Sequence, residues 1–140
     1  MGSKPTLKES DKVLFVCIGN ASRSQMAEAF SRSHGLQASS AGTRPAPAVN
    51  PVAIQVMNER MINMSRQRPK MVTTEMIQDA DLVVTMGCSL EEVCPLPLLT
   101  QMKKKMIDWQ LENPKDKPIE RVREIRDDID IRVRELFTKV

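Results

Sequence analysis

The chain has 140 residues, three cysteines and a formal net charge of +3. That length suits one domain with a single core, and an odd cysteine count argues against a disulfide framework. The Lys and Arg residues are dispersed, which excludes a nucleic-acid stripe and favours small anions only gently, and no apolar run approaches a membrane span.

Residues 1–11 are polar and read as a flexible tail, leaving residues 12–140 as one domain. Met1-Gly2-Ser3-Lys4-Pro5-Thr6 matches a myristoylation pattern in form only. A short apolar run, Val13-Leu14-Phe15-Val16, predicts a buried strand over about 12–17. Cys17-Ile18-Gly19-Asn20-Ala21-Ser22-Arg23-Ser24 follows, and Gln25 to Phe30 is rich in helix formers, so a helix is predicted over about 24–34. His34-Gly35 closes it, with a cationic-capable side chain in the last turn and glycine at the cap. The single histidine is thereby read as a helix-end residue rather than a ligand or a base. Leu36 to Ala41 predicts a second strand, and Thr43 to Val49, with Pro45 and Pro47, a loop. Asn50-Pro51 is a helix start, with Ala53, Ile54, Met57 and Met61 on its apolar face. Thr73 or Thr74 opens a further helix ending near Ala80. Leu82 to Met86 predicts a third strand and Lys105 to Ile107 a fourth. The last helix, Pro118 to Phe137, carries the stripe Val122, Ile125, Ile129, Val133 and Leu136. Apolar strands separated by helices predict a parallel sheet covered on both faces. Phe15, Phe30 and Phe137 read as core.

The Cys17 to Ser24 segment carries the chemistry. A cysteine at the tip of a strand, a glycine-containing loop and an arginine opening a helix concentrate backbone N–H dipoles at one point. Such a cradle holds a tetrahedral oxyanion, and the same field favours the thiolate. The amides of Ile18, Gly19, Asn20, Ala21 and Ser22, continuing to Ser24, are the candidate oxyanion donors. Cys17 is the candidate nucleophile and Arg23 the candidate clamp. The plainer reading is a core cysteine in an ordinary strand-to-helix turn.

A second cluster, Gly87 to Pro95, follows the third strand and brings Cys88 to the same rim of the sheet as Cys17. Cys88 and Cys94 do not have zinc-ligand spacing, so no metal is expected. They read either as a redox pair within reach of Cys17 or as two inert thiols. With no secretory segment ahead of them, a reducing cytoplasm is the expected location.

The stretch from Val13 to Glu28 resembles the low-molecular-weight protein tyrosine phosphatase superfamily, which includes the arsenate reductases. Ser40-Ala41-Gly42, Asn50-Pro51, Asp81 to Thr85, Cys94-Pro95 and Asp108 to Glu112 extend the likeness over nearly all of residues 12–138. The run Ser24 to Glu28 and the cysteine pair look like the arsenate reductase branch. The resemblance implies a flavodoxin-like three-layer α/β sandwich, a four-stranded parallel sheet in the order 2-1-3-4. It also implies Cys17 as nucleophile, Arg23 on the oxyanion, and redox roles for Cys88 and Cys94. Departures from the family pattern are Ser22 where a second loop cysteine is usual, and Gly87 in the usual slot of the middle cysteine. Asn113 stands before Pro114 where the family has an aspartate as general acid, which leaves Glu112 or Asp116 as substitutes. Lys70 stands where potassium-binding relatives have an aspartate, and it reads either as an ammonium charge delivered near Asn20, Glu28 and Ser40 or as a solvated loop lysine.

The first functional reading is an arsenate reductase with a Cys17 nucleophile and a Cys88/Cys94 thiol relay, drawing on a thioredoxin-like or small-thiol reductant and no bound cofactor. The alternative is a phosphatase hydrolysing phosphotyrosine through a Cys17 phosphoenzyme. It needs a leaving-group acid and usually an aromatic wall, whereas Asn113 supplies no proton and only Trp109 remains unassigned among the aromatic residues. A third reading is a non-enzymatic oxyanion or thiol sensor, which leaves Arg23 little purpose. Neither nucleic acid nor membrane is an expected partner.

Overall fold

The computed structural model describes residues 10–87 and 106–137, apart from the side chain of Phe137. Most of the expected tail (residues 1–9), together with Cys88, Cys94 and the predicted core position of the Phe137 side chain, lies outside that description. The elements are β1 (Lys12–Cys17), α1 (Arg23–Ser33), β2 (Gln37–Gly42), α2 (Pro51–Asn58), α3 (Thr74–Asp79), β3 (Leu82–Thr85), β4 (Met106–Asp108) and α4 (Ile119–Phe137). All strand pairs are parallel and the order is β2-β1-β3-β4.

The unbroken apolar run of β1 has a direct cause: both faces of the strand are covered. Val13 to Val16 are each at most 2% exposed. Val13 and Phe15 face α1, α2 and α4, with Phe30, Val56, Met57 and Ile129 in the same core. Leu14 and Val16 pack with Val72, Ile77 and Ala80 on the α3 side. Strand alternation thus feeds two cores from one segment. β2 is an edge strand and carries the small residues Ser39, Ser40 and Ala41 instead of a Val/Ile run. The predicted stripe of α4 is buried at all five positions, none more than 5% exposed. At about 1.5–3 kcal/mol per buried aliphatic side chain, it holds a highly charged helix against the sheet. Among the described residues no helix is long and apolar enough to cross a membrane.

Local caps follow the sequence. The Asn50 side chain accepts from Val52 N–H at 2.9 Å with Pro51 at the first turn, and Thr73 accepts from Met76 N–H at 3.2 Å. Gly35 takes φ 83° behind α1, and His34 sits at that helix end, its Nε2 3.9 Å from Asp130. Two expectations need correction. α2 stops at Asn58, so Met61 belongs to no helical face: it lies in the following turn at φ 61° and is 95% exposed. β2 begins and ends one residue later than predicted, because Cys17 pairs with Gly42 across the sheet.

That last pairing sets the entry to the Cys17 loop. A Cβ at Gly42 would lie 2.6 Å from the Ile18 carbonyl and 3.0 Å from Asn20 N. Those neighbours are backbone atoms and cannot rotate away. Gly42→Ala is expected to cost about 1–3 kcal/mol, the range for overpacking, measured by urea denaturation. Gly19→Ala, whose nearest neighbours would be 3.9 Å away, is the comparison and is expected to cost less. Equal stabilities would mean that the loop and β2 can separate freely.

Candidate active site

Between β1 and α1 the chain turns through five residues, and the carbonyl of every residue from Cys17 to Ser22 is tied outward. Thr43 N donates to Cys17 O, Arg44 N to Ile18 O, Ala46 N to Gly19 O and Asn50 N to Ala21 O, at 2.8–3.2 Å. Gln25 Nε2 donates to Asn20 O at 3.0 Å and Met26 N to Ser22 O at 2.9 Å. A trans peptide carries its N–H opposite its C=O, so these ties turn the loop amides towards a common centre. Ile18, Gly19, Ala21 and Ser22 line one cavity with Cys17, and Asn20 is buried beneath it.

Cys17 is buried, 2% exposed, and Asn20 N–H donates to its Sγ at 3.1 Å. Asn20 takes φ 50°, the left-handed conformation that brings this N–H round. The Ser24 hydroxyl lies 2.9 Å from Sγ. Its orientation follows from its neighbours. Lys70 N–H donates to Asn20 Oδ1 at 2.9 Å, which fixes the Asn20 amide with Nδ2 on Ser24 Oγ at 2.7 Å. Oγ accepts there, which leaves its own hydrogen available to the sulfur.

Arg23 is 6% exposed. Its Nη1 donates to Met86 O at 3.0 Å and Leu111 O at 3.1 Å. With both Nη1 hydrogens used, Nε and Nη2 remain as a fork for an oxyanion. Gly87, at φ 77°, packs against the same group, and a Cβ there would lie 3.2 Å from Nη1.

Above the loop is a cavity of about 650 Å³. It is lined by Cys17, Ile18 and Arg23, by Arg44, Ala46 and Ala48, and by Asn113 to Lys117. Trp109 does not reach it: the indole is 7% exposed and packs on Phe15 with ring centroids 5.7 Å apart. Of the candidate acids, Asp116 and Asn113 line the cavity, and Asn113 Oδ1 also accepts from Lys115 N–H at 3.1 Å. Glu112 turns away to Arg121, 2.7 Å from its Nη2, and Lys117, 3.6 Å away. The Arg121 hydrogen bond holds its carboxyl below the ordinary 4.5. Lys70 reaches the loop through its backbone. Its ammonium is 4.0 Å from Glu28 Oε1 with a 45% exposed side chain, and it donates to Arg68 O at 3.2 Å. Ser40 Oγ donates to that same buried Glu28 oxygen at 2.7 Å.

Sequence reasoning passed over Arg44, Lys115 and Lys117, which bring positive charge to the cavity. It also passed over Gln25, which reads as one more helix former in a run of them. A long polar amide one turn before the core residue Ala29 was the available signal.

The domain model for low molecular weight phosphotyrosine protein phosphatases matches residues 12–140. The chain belongs to that family. An arsenate reductase of Bacillus cereus is 33% identical over 131 residues, spanning 91% of this chain and 95% of the relative. A solved arsenate reductase in the phosphate-binding state is 34% identical with a TM-score of 0.76, over 90% of this chain and 95% of that one. The Corynebacterium glutamicum thioredoxin-dependent arsenate reductase is 37% identical with a TM-score of 0.72, over 96% of this chain and 61% of that one.

The geometry of the acid loop yields a direct test. Glu112 is taken up by Arg121 and Lys117 and does not line the cavity, so Glu112→Gln should leave phenyl phosphate hydrolysis within about threefold of wild type. Asn113→Asp should raise it, since a general acid is worth about 10²–10⁴-fold on a poor leaving group. A large loss in Glu112→Gln would show that this carboxyl does donate the proton.

Proposed function

We propose that the protein is an arsenate reductase whose nucleophile is Cys17. The observation that supports this is a buried Cys17 sulfur that accepts from Asn20 N–H, lies 2.9 Å from the Ser24 hydroxyl and lines one cavity with Arg23. The relatives named arsenate reductase, aligned over most of both chains, support it. The thiolate attacks arsenic and a hydroxyl of the arsenate leaves as hydroxide, which takes a proton from solvent, giving a sulfur–arsenic(V) adduct. The loop amides and Arg23 stabilise the charge on the remaining oxygens. Cys88 as thiolate then attacks Cys17 Sγ. The electron pair of the S–As bond passes to arsenic, arsenite leaves, and a Cys17–Cys88 disulfide remains. Cys94 attacks Cys88, restoring the Cys17 thiolate and passing the disulfide to Cys88–Cys94 for a thioredoxin-like dithiol to reduce. The similarity to a thioredoxin-dependent enzyme supports a dithiol donor, and such a cycle suits a reducing cytoplasm.

Phosphotyrosine hydrolysis would use the same first step with phosphorus as the electrophile, and the family match keeps it as the second reading. Asn113 in place of an acid and a buried Trp109 weigh against it.

Three variants separate these chemistries. Cys17→Ser should abolish arsenate-dependent thioredoxin oxidation and phenyl phosphate hydrolysis, yet still bind phosphate. Cys88→Ser and Cys94→Ser should each lose multiple-turnover arsenate reduction while retaining phosphate ester hydrolysis. Wild-type reduction in Cys94→Ser would replace the relay with an external thiol, and turnover in Cys17→Ser would remove Cys17 from the chemistry.

A further inference from the structure

Five of the six ties on the loop carbonyls come from backbone N–H groups, which survive substitution of their own side chains. The sixth, on Asn20, is the Gln25 side chain, and Asn20 is the residue held at φ 50°. Gln25 is fully buried, where an amide persists only with its hydrogen bonds made. Its Nε2 reaches Asn20 O at 3.0 Å, Asn20 Oδ1 at 3.0 Å and Arg68 O at 2.9 Å. Two of these are backbone carbonyls, so the atom facing them is the nitrogen. The Oε1 end accepts from Gln67 Nε2 at 2.6 Å, and Gln67 Nε2 also lies 3.2 Å from Gln25 O.

Behind the two glutamines the chain is anchored to the sheet. Lys70 O accepts from Gly42 N at 2.7 Å, and Val72 N donates to Gly42 O at 2.9 Å. The segment over residues 67–70 therefore grips Asn20 from the side opposite the cavity, once through Lys70 N–H and once through the Gln67–Gln25 pair.

We propose that Gln25 is a positioning residue for the Cys17 chemistry, acting through Asn20, and that Gln67 acts through Gln25 by fixing its amide. Gln25 pins the carbonyl and the side chain of the residue whose N–H donates to the nucleophile. Without it Asn20 is free to leave its left-handed conformation, which removes the N–H from Sγ and the constraint that aims the Ser24 hydroxyl.

The inference rests on reading Cys17 as the nucleophile, and iodoacetamide alkylation of the Cys17 peptide, followed by mass spectrometry, measures it whatever the substrate. Gln25→Met keeps length and loses the donors. Its alkylation at neutral pH should fall about ten- to hundredfold, the scale of a misplaced reacting group, with the pH profile shifted to the alkaline side. The arsenate kcat should fall with it more than KM rises. Gln67→Met, at a half-buried position, tests the relay even where Gln25→Met folds poorly, and should give a smaller change in the same direction. Because Gln67 acts through Gln25, the double variant should react like Gln25→Met alone. An unchanged pH profile in both single variants, with only urea stability reduced, would make Gln25 a structural amide and overturn the proposal. Additive losses in the double variant would overturn the relay. Failure of arsenate reduction with these alkylation shifts intact would count against the reductase and not against Gln25.

Discussion

The site depends on the outward tethering of six consecutive carbonyls, from Cys17 to Ser22. A loop of free peptides would present donors and acceptors alike, and an oxyanion would meet repulsion as often as attraction. Holding every C=O on the outside leaves a surface of N–H groups on the inside, with the dipole of α1 added to it. No metal or fixed lysine is required for that field. The cost is backbone strain at Asn20, in the left-handed region at φ 50°, offset by the hydrogen bonds that surround it.

The parallel sheet makes this arrangement reachable. β1 lies between β2 and β3, so its C-terminal end is flanked by Gly42 on one side and Met86 on the other. The first neighbour admits the loop by having no side chain. The second supplies a carbonyl to Arg23, which also takes Leu111 O across the cavity. Arg23 Nη1 thereby ties the segments after β3 and β4 to the start of α1.

The features legible in the sequence are those that one short segment determines by itself. The Val13 to Val16 run specified a strand buried on both faces, and the cysteine, glycine and arginine pattern marked the turn that joins it to α1. Met61 was misassigned because a methionine at helical spacing is apolar whether or not the helix continues, and α2 ends at Asn58. Lys70 was read through its ammonium, whereas its position relative to Gly42 gives the backbone N–H the closer contact with Asn20. The candidate acid Glu112 could be weighed only when Arg121, one turn into α4, was seen to pair with it. Gln25 was illegible for a related reason: its partners, Gln67 and Arg68, are more than forty residues away.

The donors that shape the loop also lie downstream of it. Thr43, Arg44, Ala46 and Asn50 follow β2, and the Lys70 segment follows α2. A chain elongating from its N-terminus possesses Cys17 long before it possesses the residues that hydrogen-bond its loop. An incompletely folded copy, or a nascent one, therefore lacks the loop geometry around Cys17. Completion of the β1–β2 crossover and docking of residues 67–72 build it.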